Sequence, residues 1–164
     1  MIDFSQVDFA KQWPGVWERD QLLEIDGLTL FQKILVGDAP MAPIADLMDF
    51  YLAEVEKGRI VYASKPSKKI YNPLGTAHGG YAATMLDSAM GCAVHTMLPA
   101  GKSYTTAELS INYIRPMFET TSEVHAIGTV LHSGRTVATA EGKILDANDK
   151  LIAHGTTTCV VFDL

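Results

Sequence analysis

The chain contains 164 residues, of which 48% are hydrophobic and 20% are charged, and its formal net charge is −6. This length and composition fit one soluble globular domain that needs no disulfide or metal to fold. The acidic charge argues against a general nucleic-acid-binding surface. Two widely spaced cysteines, Cys92 and Cys159, argue against a disulfide scaffold and fit the reducing cytoplasm. The most apolar stretch, residues 81–98, contains Asp87 and is too short for a typical membrane span, so we expect no membrane partner.

The first 49 residues predict an N-terminal helical extension. Turn signals at Pro14-Gly15 and residues 37–40 break this segment into short pieces. Apolar residues between and after the breaks fall close to helical spacing, at Leu28, Leu30, Phe31, Ile34 and Leu35 and again at Ile44, Leu47 and Met48. Trp13 and Trp17 stand four residues apart, which predicts a shared helix face. We expect residues 1–49 to pack as an arm on a core domain of residues 50–164.

The pattern changes at residue 50, where strands begin to alternate with clear turns. Phe50–Glu56 and Arg59–Ser64 predict a hairpin through Lys57-Gly58. One long helix is predicted over residues 79–98, before a Pro-Ala-Gly stop. Four long strands are predicted to follow it, at residues 105–114, 123–132, 136–146 and 151–162. Long antiparallel strands and a single long helix indicate an α+β fold in which the sheet wraps around the helix.

The long helix carries two different surfaces. One is broad and apolar, as expected for contact with a sheet. The other is a stripe of small and polar residues, formed by Gly80, Thr84, Asp87, Gly91 and His95. An isolated Asp on a helix usually faces solvent. The neighbours of Asp87 are Ala, Met and Gly rather than Lys and Glu, which favours a semi-buried, functional carboxylate.

The loop before this helix, residues 72–80, concentrates groups suited to chemistry. Gly79 and Gly80 at the helix start allow a ligand to approach backbone N–H groups. Free N–H groups at a helix N-terminus favour negative charge, including the oxyanion formed when an ester or thioester is attacked. His78 and Asn72 add polar side chains, and Asp87 would activate water or attack a carbonyl itself. Each residue alone also has a structural explanation, such as tight packing or a turn, but their combination favours a functional site.

These residues resemble the signature of a known family. The pattern Asn72-x-x-Gly75-x-x-His78-Gly79-Gly80-x6-Asp87 is similar to that of hotdog-fold acyl-CoA thioesterases of the phenylacetic-acid-degradation (PaaI-like) type. The runs 106–116 and 134–155 resemble later strands of that family. The resemblance covers about residues 50–161 and, more loosely, residues 27–50, and the first 25 residues lie outside it. It implies a hotdog fold, a long antiparallel sheet wrapped around one central helix, and hydrolysis of an acyl-CoA to free acid and coenzyme A. It also implies homodimers, often paired into tetramers.

The resemblance further implies a role for each matching residue. Asp87 resembles the catalytic carboxylate, and the Gly79 amide resembles the donor to the oxyanion. His78 and Asn72 resemble residues that orient the thioester and the attacking water. A Ser or Thr early in the next strand often assists the carboxylate. Counting from Leu109 and Tyr113 gives Thr106, whereas counting from Asp87 gives Thr105, and neighbouring strand residues face opposite ways.

A local excess of positive charge suggests where coenzyme A binds. Residues 57–86 contain five basic residues and no acidic one. The phosphates of coenzyme A need cationic partners. The expected substrate contacts are Gly80, Thr105, Arg115, Arg135, Lys68 and Lys69. No metal site is visible and no cofactor is expected, because coenzyme A is part of the substrate.

Helix geometry predicts a site shared between two chains. Gly79 and Asp87 are eight residues apart, about 12 Å along one helix axis, so one carbonyl cannot touch both. Two antiparallel helices of a homodimer would bring them together. A medium-chain or aromatic acyl group is expected, in a tunnel lined by Tyr81, Met85, Met90, Met97 and Tyr113. The alternatives are a hotdog-type dehydratase or hydratase, and a non-catalytic acyl-CoA or acyl-carrier binding protein.

Overall fold

The computed structural model describes residues 7–164, so residues 1–6 of the predicted extension lie outside the described residues. The helices are α1 (Arg19–Glu24), α2 (Gly27–Val36), α3 (Pro43–Leu47) and α4 (Gly79–His95). The strands are β1 (Phe50–Glu56), β2 (Arg59–Ser64), β3 (Lys102–Tyr113), β4 (Val124–Ser133), β5 (Val137–Asp146) and β6 (Leu151–Asp163). Two 3₁₀ turns, Phe9–Lys11 and Lys68–Ile70, complete the list. Over residues 7–164, every helix is too short or too polar to cross a membrane.

The six strands form one antiparallel sheet in the order β1-β2-β4-β5-β6-β3. The sheet wraps around α4, which packs against every strand from β2 to β6. The predicted α+β fold, with one central helix and an N-terminal helical extension, is confirmed. β1 and β2 have the predicted bounds. α4 ends three residues earlier than predicted, because the Thr96 hydroxyl donates to the Ala93 carbonyl (2.6 Å) and accepts from the Gly58 amide (2.7 Å).

Two glycines of the sheet let α4 lie unusually close to it. Gly128 on β4 and Gly142 on β5 are cross-strand partners beneath the helix. A Cβ on Gly128 would overlap the Ala89 carbonyl and lie 2.6 Å from the Met90 backbone nitrogen. A Cβ on Gly142 would instead meet the Met90 side chain at 2.8 Å. The helix backbone therefore rests directly on β4, with Ala89 and Met90 fully buried.

The N-terminal extension packs on the same core. The α2 side chains Leu30, Phe31 and Ile34 are at most 5% exposed and join the core of the sheet and α4. The boundary between residues 49 and 50 as a domain limit stays a prediction.

The predicted helix face shared by Trp13 and Trp17 is wrong. Pro14 pairs with Met41 in extended conformation, which interrupts any helix between the two indoles. Each indole N–H instead donates to a backbone carbonyl of residues 37–40, at 3.2 Å for Trp13 and 3.1 Å for Trp17. The two side chains thus fasten the extended segment to the loop that follows α2.

The contact between α4 and the sheet predicts that a Gly→Ala substitution destabilises the protein more at residue 128 than at residue 142. Gly128→Ala should lower the free energy of unfolding by about 1–3 kcal/mol, because the new methyl group meets helix backbone. Gly142→Ala is the matched control and should cost less, because the Met90 side chain is flexible enough to move. Denaturant unfolding of both variants measures the difference. An equal loss in the two variants would contradict the close backbone contact.

Candidate functional site

The N-terminus of α4 presents one backbone amide to its surroundings. His78 is the N-cap residue, and its Nδ1 accepts a hydrogen bond from the Gly80 amide at 2.8 Å. This contact places the proton of the neutral imidazole on Nε2. Gly79 is the first residue of α4, and its amide has no acceptor among residues 7–164. The Gly79 amide is therefore available to an oxyanion, whereas the Gly80 amide, predicted to contact substrate, is occupied by His78.

The Asn72 side chain shapes the loop that leads to His78. Its Oδ1 accepts hydrogen bonds from the amides of Leu74 (2.9 Å) and Thr76 (3.3 Å), and its Nδ2 donates to the Thr76 hydroxyl (2.9 Å). Thr76 was not singled out in the sequence, because a turn pattern shows that a loop closes but not which residue closes it. One Nδ2 proton of Asn72 remains for another acceptor. A direct role of Asn72 toward substrate stays a prediction.

Asp87 lies two turns further along α4, on the side that faces β3. The Thr106 hydroxyl donates to Asp87 Oδ1 at 2.8 Å, and both residues are half-buried. Thr105 lies on the exposed face of β3. Of the two threonines that the sequence left open, Thr106 is therefore the one that contacts the carboxylate.

The predicted site residues of one chain fall into two groups, one at the N-terminus of α4 and one at its middle. A pocket of 310 Å³ at the N-terminus is lined by His78, Gly79, Tyr113 and Arg115, among others. Asp87 lies midway along α4, and Thr106, which contacts it, is paired with Cys159 of β6. One continuous helix joins the two groups, so Gly79 and Asp87 are about 12 Å apart along its axis. Within one chain, each of these two places therefore holds only part of the predicted set of site residues.

The basic residues are divided in the same way. The Arg115 guanidinium donates to the Leu151 carbonyl beside the Gly79 pocket. Lys68 forms an ion pair with Glu119 (Nζ–Oε1 3.0 Å), which raises the pKa of the lysine. Arg135 lies in the β4–β5 turn, near Lys102 and Asp163. There it helps Lys102, the larger cause, to lower the pKa of Asp163.

Lys69 is exposed in the 3₁₀ turn. Contact of these cations with coenzyme A stays a prediction. Over residues 7–164, no three His, Cys, Asp or Glu side chains are grouped as metal ligands would be.

Three residues of the predicted acyl tunnel belong to the core instead. Tyr81, Met85 and Met90 are at most 1% exposed and pack between α4 and the sheet, so the prediction that they line a tunnel is wrong. Apolar residues at helical spacing fit a core and a cavity equally well. Tyr113 does face the site, because its ring lies 3.4–3.6 Å from the position of a Cβ on Gly79.

Two further residues of α4, Gly91 and Cys92, make contacts within their own chain that explain their presence. A Cβ on Gly91 would lie 2.6 Å from the Tyr104 hydroxyl oxygen, so this member of the small stripe makes room for β3 of its own chain. Cys92 contacts the Tyr62 hydroxyl at 3.4 Å. Burial raises the pKa of Cys92 to about 11, so it is a neutral thiol near pH 7 and not a ready nucleophile.

The hydrogen bonds of Asn72 predict that its loss affects stability as well as chemistry. Asn72→Ala removes three hydrogen bonds and should lower the free energy of unfolding by about 1–3 kcal/mol. Asn72→Asp keeps the acceptor oxygen, and the Thr76 hydroxyl can turn to donate, so its loss of stability should be smaller. Thermal unfolding of both variants is the measurement. Equal stability of the alanine variant and the unmodified chain would show that the loop does not depend on this side chain.

Comparison with known proteins extends the resemblance. The thioesterase superfamily matches residues 74–153. The candidate esterase SSO2140 of Saccharolobus solfataricus is 32% identical over 108 residues, which are 66% of this chain and 75% of the relative. The candidate esterase VNG_1336C of Halobacterium salinarum is 34% identical over 88 residues, 52% of this chain, and the chain spans 56% of that relative's length.

A more distant relative and a solved structure also match this chain. A 1,4-dihydroxy-2-naphthoyl-CoA hydrolase of Listeria monocytogenes is 24% identical over 67% of this chain and 88% of its own length. A candidate thioesterase of Ralstonia eutropha, described as related to phenylacetic acid degradation, superposes with a TM-score of 0.72. It is 26% identical, over 80% of this chain and 98% of its own. The chain belongs to the thioesterase superfamily and is a PaaI-like protein with the hotdog fold.

Proposed function

We propose that this protein hydrolyses an acyl-CoA thioester to a free acid and coenzyme A. The observation that carries the proposal is the Asp87 carboxylate, held by the Thr106 hydroxyl at 2.8 Å, on the same helix as the Gly79 amide, which has no acceptor among residues 7–164. A carboxylate and an oxyanion donor are what acyl transfer to water requires. The relative named as a CoA hydrolase supports the choice of a coenzyme A thioester.

Two routes use the same residues. In the first, Asp87 removes a proton from water, the water oxygen bonds to the carbonyl carbon, and the oxyanion accepts a hydrogen bond from Gly79. The carbon–sulfur bond then breaks, and the proton passes to the coenzyme A sulfur. In the second, an Asp87 oxygen attacks the carbonyl, coenzyme A leaves, and water hydrolyses the mixed anhydride. Neither route needs a metal or a further cofactor.

The proposed active site is shared between the two chains of a homodimer. Gly79 and Asp87 are too far apart within one helix to act on the same carbonyl. β3 is an edge strand of 12 residues that pairs only with β6, so its other edge is unpaired within residues 7–164. A second β3 edge related by a two-fold axis is a suitable partner for this long strand.

In such a dimer, Asp87 and Arg135 of one chain would lie beside Gly79 and Arg115 of the other. Both arginines would then border one substrate, together with Lys68 and Lys69. Pairing of two dimers into a tetramer is compatible with this arrangement. We also infer a cytoplasmic location, because both cysteines are free thiols.

The carboxylate and its hydroxyl partner predict a graded loss of activity. Asp87→Asn removes the base or nucleophile and should lower turnover by about 10²-fold or more, with coenzyme A binding little changed. Thr106→Val should cost about tenfold, since it removes one hydrogen bond to a charged group. Thr105→Val, on the exposed face of the same strand, leaves the hydrogen bond between Thr106 and Asp87 intact and should cost less than Thr106→Val. Thiol release from a panel of acyl-CoAs is the assay.

The same assay separates the competing functions. Near-normal turnover of Asp87→Asn would remove Asp87 from the mechanism. Binding of acyl-CoA without thiol release from any member of the panel would indicate a non-catalytic binding protein. Consumption of an enoyl-CoA with its thioester intact would indicate a hydratase.

Mixed dimers test whether the site is shared. Asp87→Asn and Gly79→Pro are each expected to be inactive, and Pro is tolerated at the first position of a helix. When the two variants are unfolded and refolded together, half of the dimers are mixed and one of their two sites is intact. About a quarter of the unmodified activity should return. No recovery, with subunit exchange demonstrated, would place the whole site within one chain.

A further inference from the structure

A tyrosine beside the N-terminus of α4 carries a hydroxyl group that has no hydrogen-bond partner among residues 7–164. Tyr113 is the last residue of β3, and its side chain lines the 310 Å³ pocket that also contains Gly79. The other five tyrosine hydroxyls of the chain each have a partner. Since Tyr113 is 56% exposed, its hydroxyl is open to a ligand in this pocket.

The Tyr113 hydroxyl lies close to the Gly79 amide. The ring and its hydroxyl oxygen are 3.4–3.6 Å from the position that a Cβ on Gly79 would take. A Cβ is about 2.5 Å from the nitrogen of its own residue, so the hydroxyl oxygen is at most about 6 Å from the Gly79 nitrogen. Two donors that far apart can share one acceptor at about 2.9 Å each. One ligand oxygen can therefore accept a hydrogen bond from both groups.

The backbone holds both donors in place. Tyr113 pairs with Ala153 of β6, and the following amide, that of Ile114, donates to the Ile152 carbonyl at 2.8 Å. Gly79 is fixed as the first residue of α4. The two donors therefore need little rearrangement when negative charge develops between them, which is the condition under which an oxyanion donor is most effective.

Most of the other donors around this pocket are already in use. Backbone amides that donate within the chain are those of Thr76, Ala77, His78, Ile114 and Arg115. The Arg115 guanidinium donates to the Leu151 carbonyl. The Tyr113 hydroxyl is thus one of the few donors left to a ligand beside Gly79, together with the Nε2–H of His78.

We infer that the Tyr113 hydroxyl is a second donor to the oxyanion, beside the Gly79 amide of the same chain. The inference rests on the proposed hydrolysis of acyl-CoA. When water or the Asp87 carboxylate bonds to the carbonyl carbon, the electron pair of the C=O π bond moves to the oxygen, which accepts both hydrogen bonds. Tyr113 keeps its proton throughout. Both hydrogen bonds strengthen as the charge grows, so they stabilise the transition state more than the bound thioester.

Tyr113→Phe tests the hydroxyl alone, because it keeps the ring. We expect kcat to fall about tenfold or more with KM nearly unchanged, because a donor to the oxyanion acts mainly in the transition state. Tyr51→Phe is the matched control, since it removes a hydroxyl that donates to Asp49 Oδ1 at 3.0 Å, and it should leave kcat unchanged. An unchanged kcat in Tyr113→Phe, or a loss expressed in KM alone, would overturn the inference and leave the proposed function standing.

A binding measurement separates the donor from the hydrolysis. A trifluoromethyl ketone analogue of acyl-CoA readily forms a tetrahedral centre that resembles the oxyanion, whereas the matching methyl ketone stays planar. The unmodified protein should bind the first more tightly, and Tyr113→Phe should reduce the ratio of the two affinities about tenfold or more. A ratio reduced in this way, without thiol release from any acyl-CoA, would overturn the proposed function and leave the donor assignment standing. An unchanged ratio would overturn the donor assignment.

Discussion

The depth at which α4 sits in the sheet determines where every candidate site residue lies. At Gly128 the helix backbone touches β4 with no side chain between them, so the helix cannot slide or rotate without a steric clash. Ala89 and Met90 are fixed against the sheet at this point. Asp87, two residues earlier, is thereby turned toward β3, where Thr106 meets it. The loop of residues 72–78 leads into the helix N-terminus, where His78 caps the first turn.

This arrangement separates two groups of opposite charge along α4. The N-terminal end offers a partial positive charge through a single amide, and the carboxylate carries the negative charge two turns away. Because of this separation, the Gly79 amide and the Asp87 carboxylate of one chain do not neutralise each other. In the proposed homodimer, the β3 edge that is unpaired within residues 7–164 would bring the Gly79 amide of one chain to the Asp87 carboxylate of its partner.

Much of this was accessible from sequence, and the failures have physical causes. β1 and β2 were predicted to the residue because a tight Lys57-Gly58 turn fixes both. The choice between Thr105 and Thr106 stayed open because the length of the connection between α4 and β3 is not fixed by a pattern, so counting from Asp87 gave Thr105, whereas counting back along the strand gave Thr106, the residue that contacts Asp87. The methionines of α4 were assigned to a tunnel because periodicity does not distinguish a core from a cavity. Trp13 and Trp17 lie in an extended segment, where residues four apart do not share a face as they do on a helix.

The junction between the extension and α4 has a wider consequence. The Gly27 amide donates to the Leu98 carbonyl at 3.1 Å, and a Cβ at Gly27 would overlap the backbone of His95. The first turn of α2 thus stands against the chain end of α4, as far as possible from Gly79. A side chain at residue 27 would push the start of α2 away from the end of α4. Because this contact lies at the end of α4 remote from Gly79, the extension is anchored to the domain away from the amide proposed to bind the oxyanion.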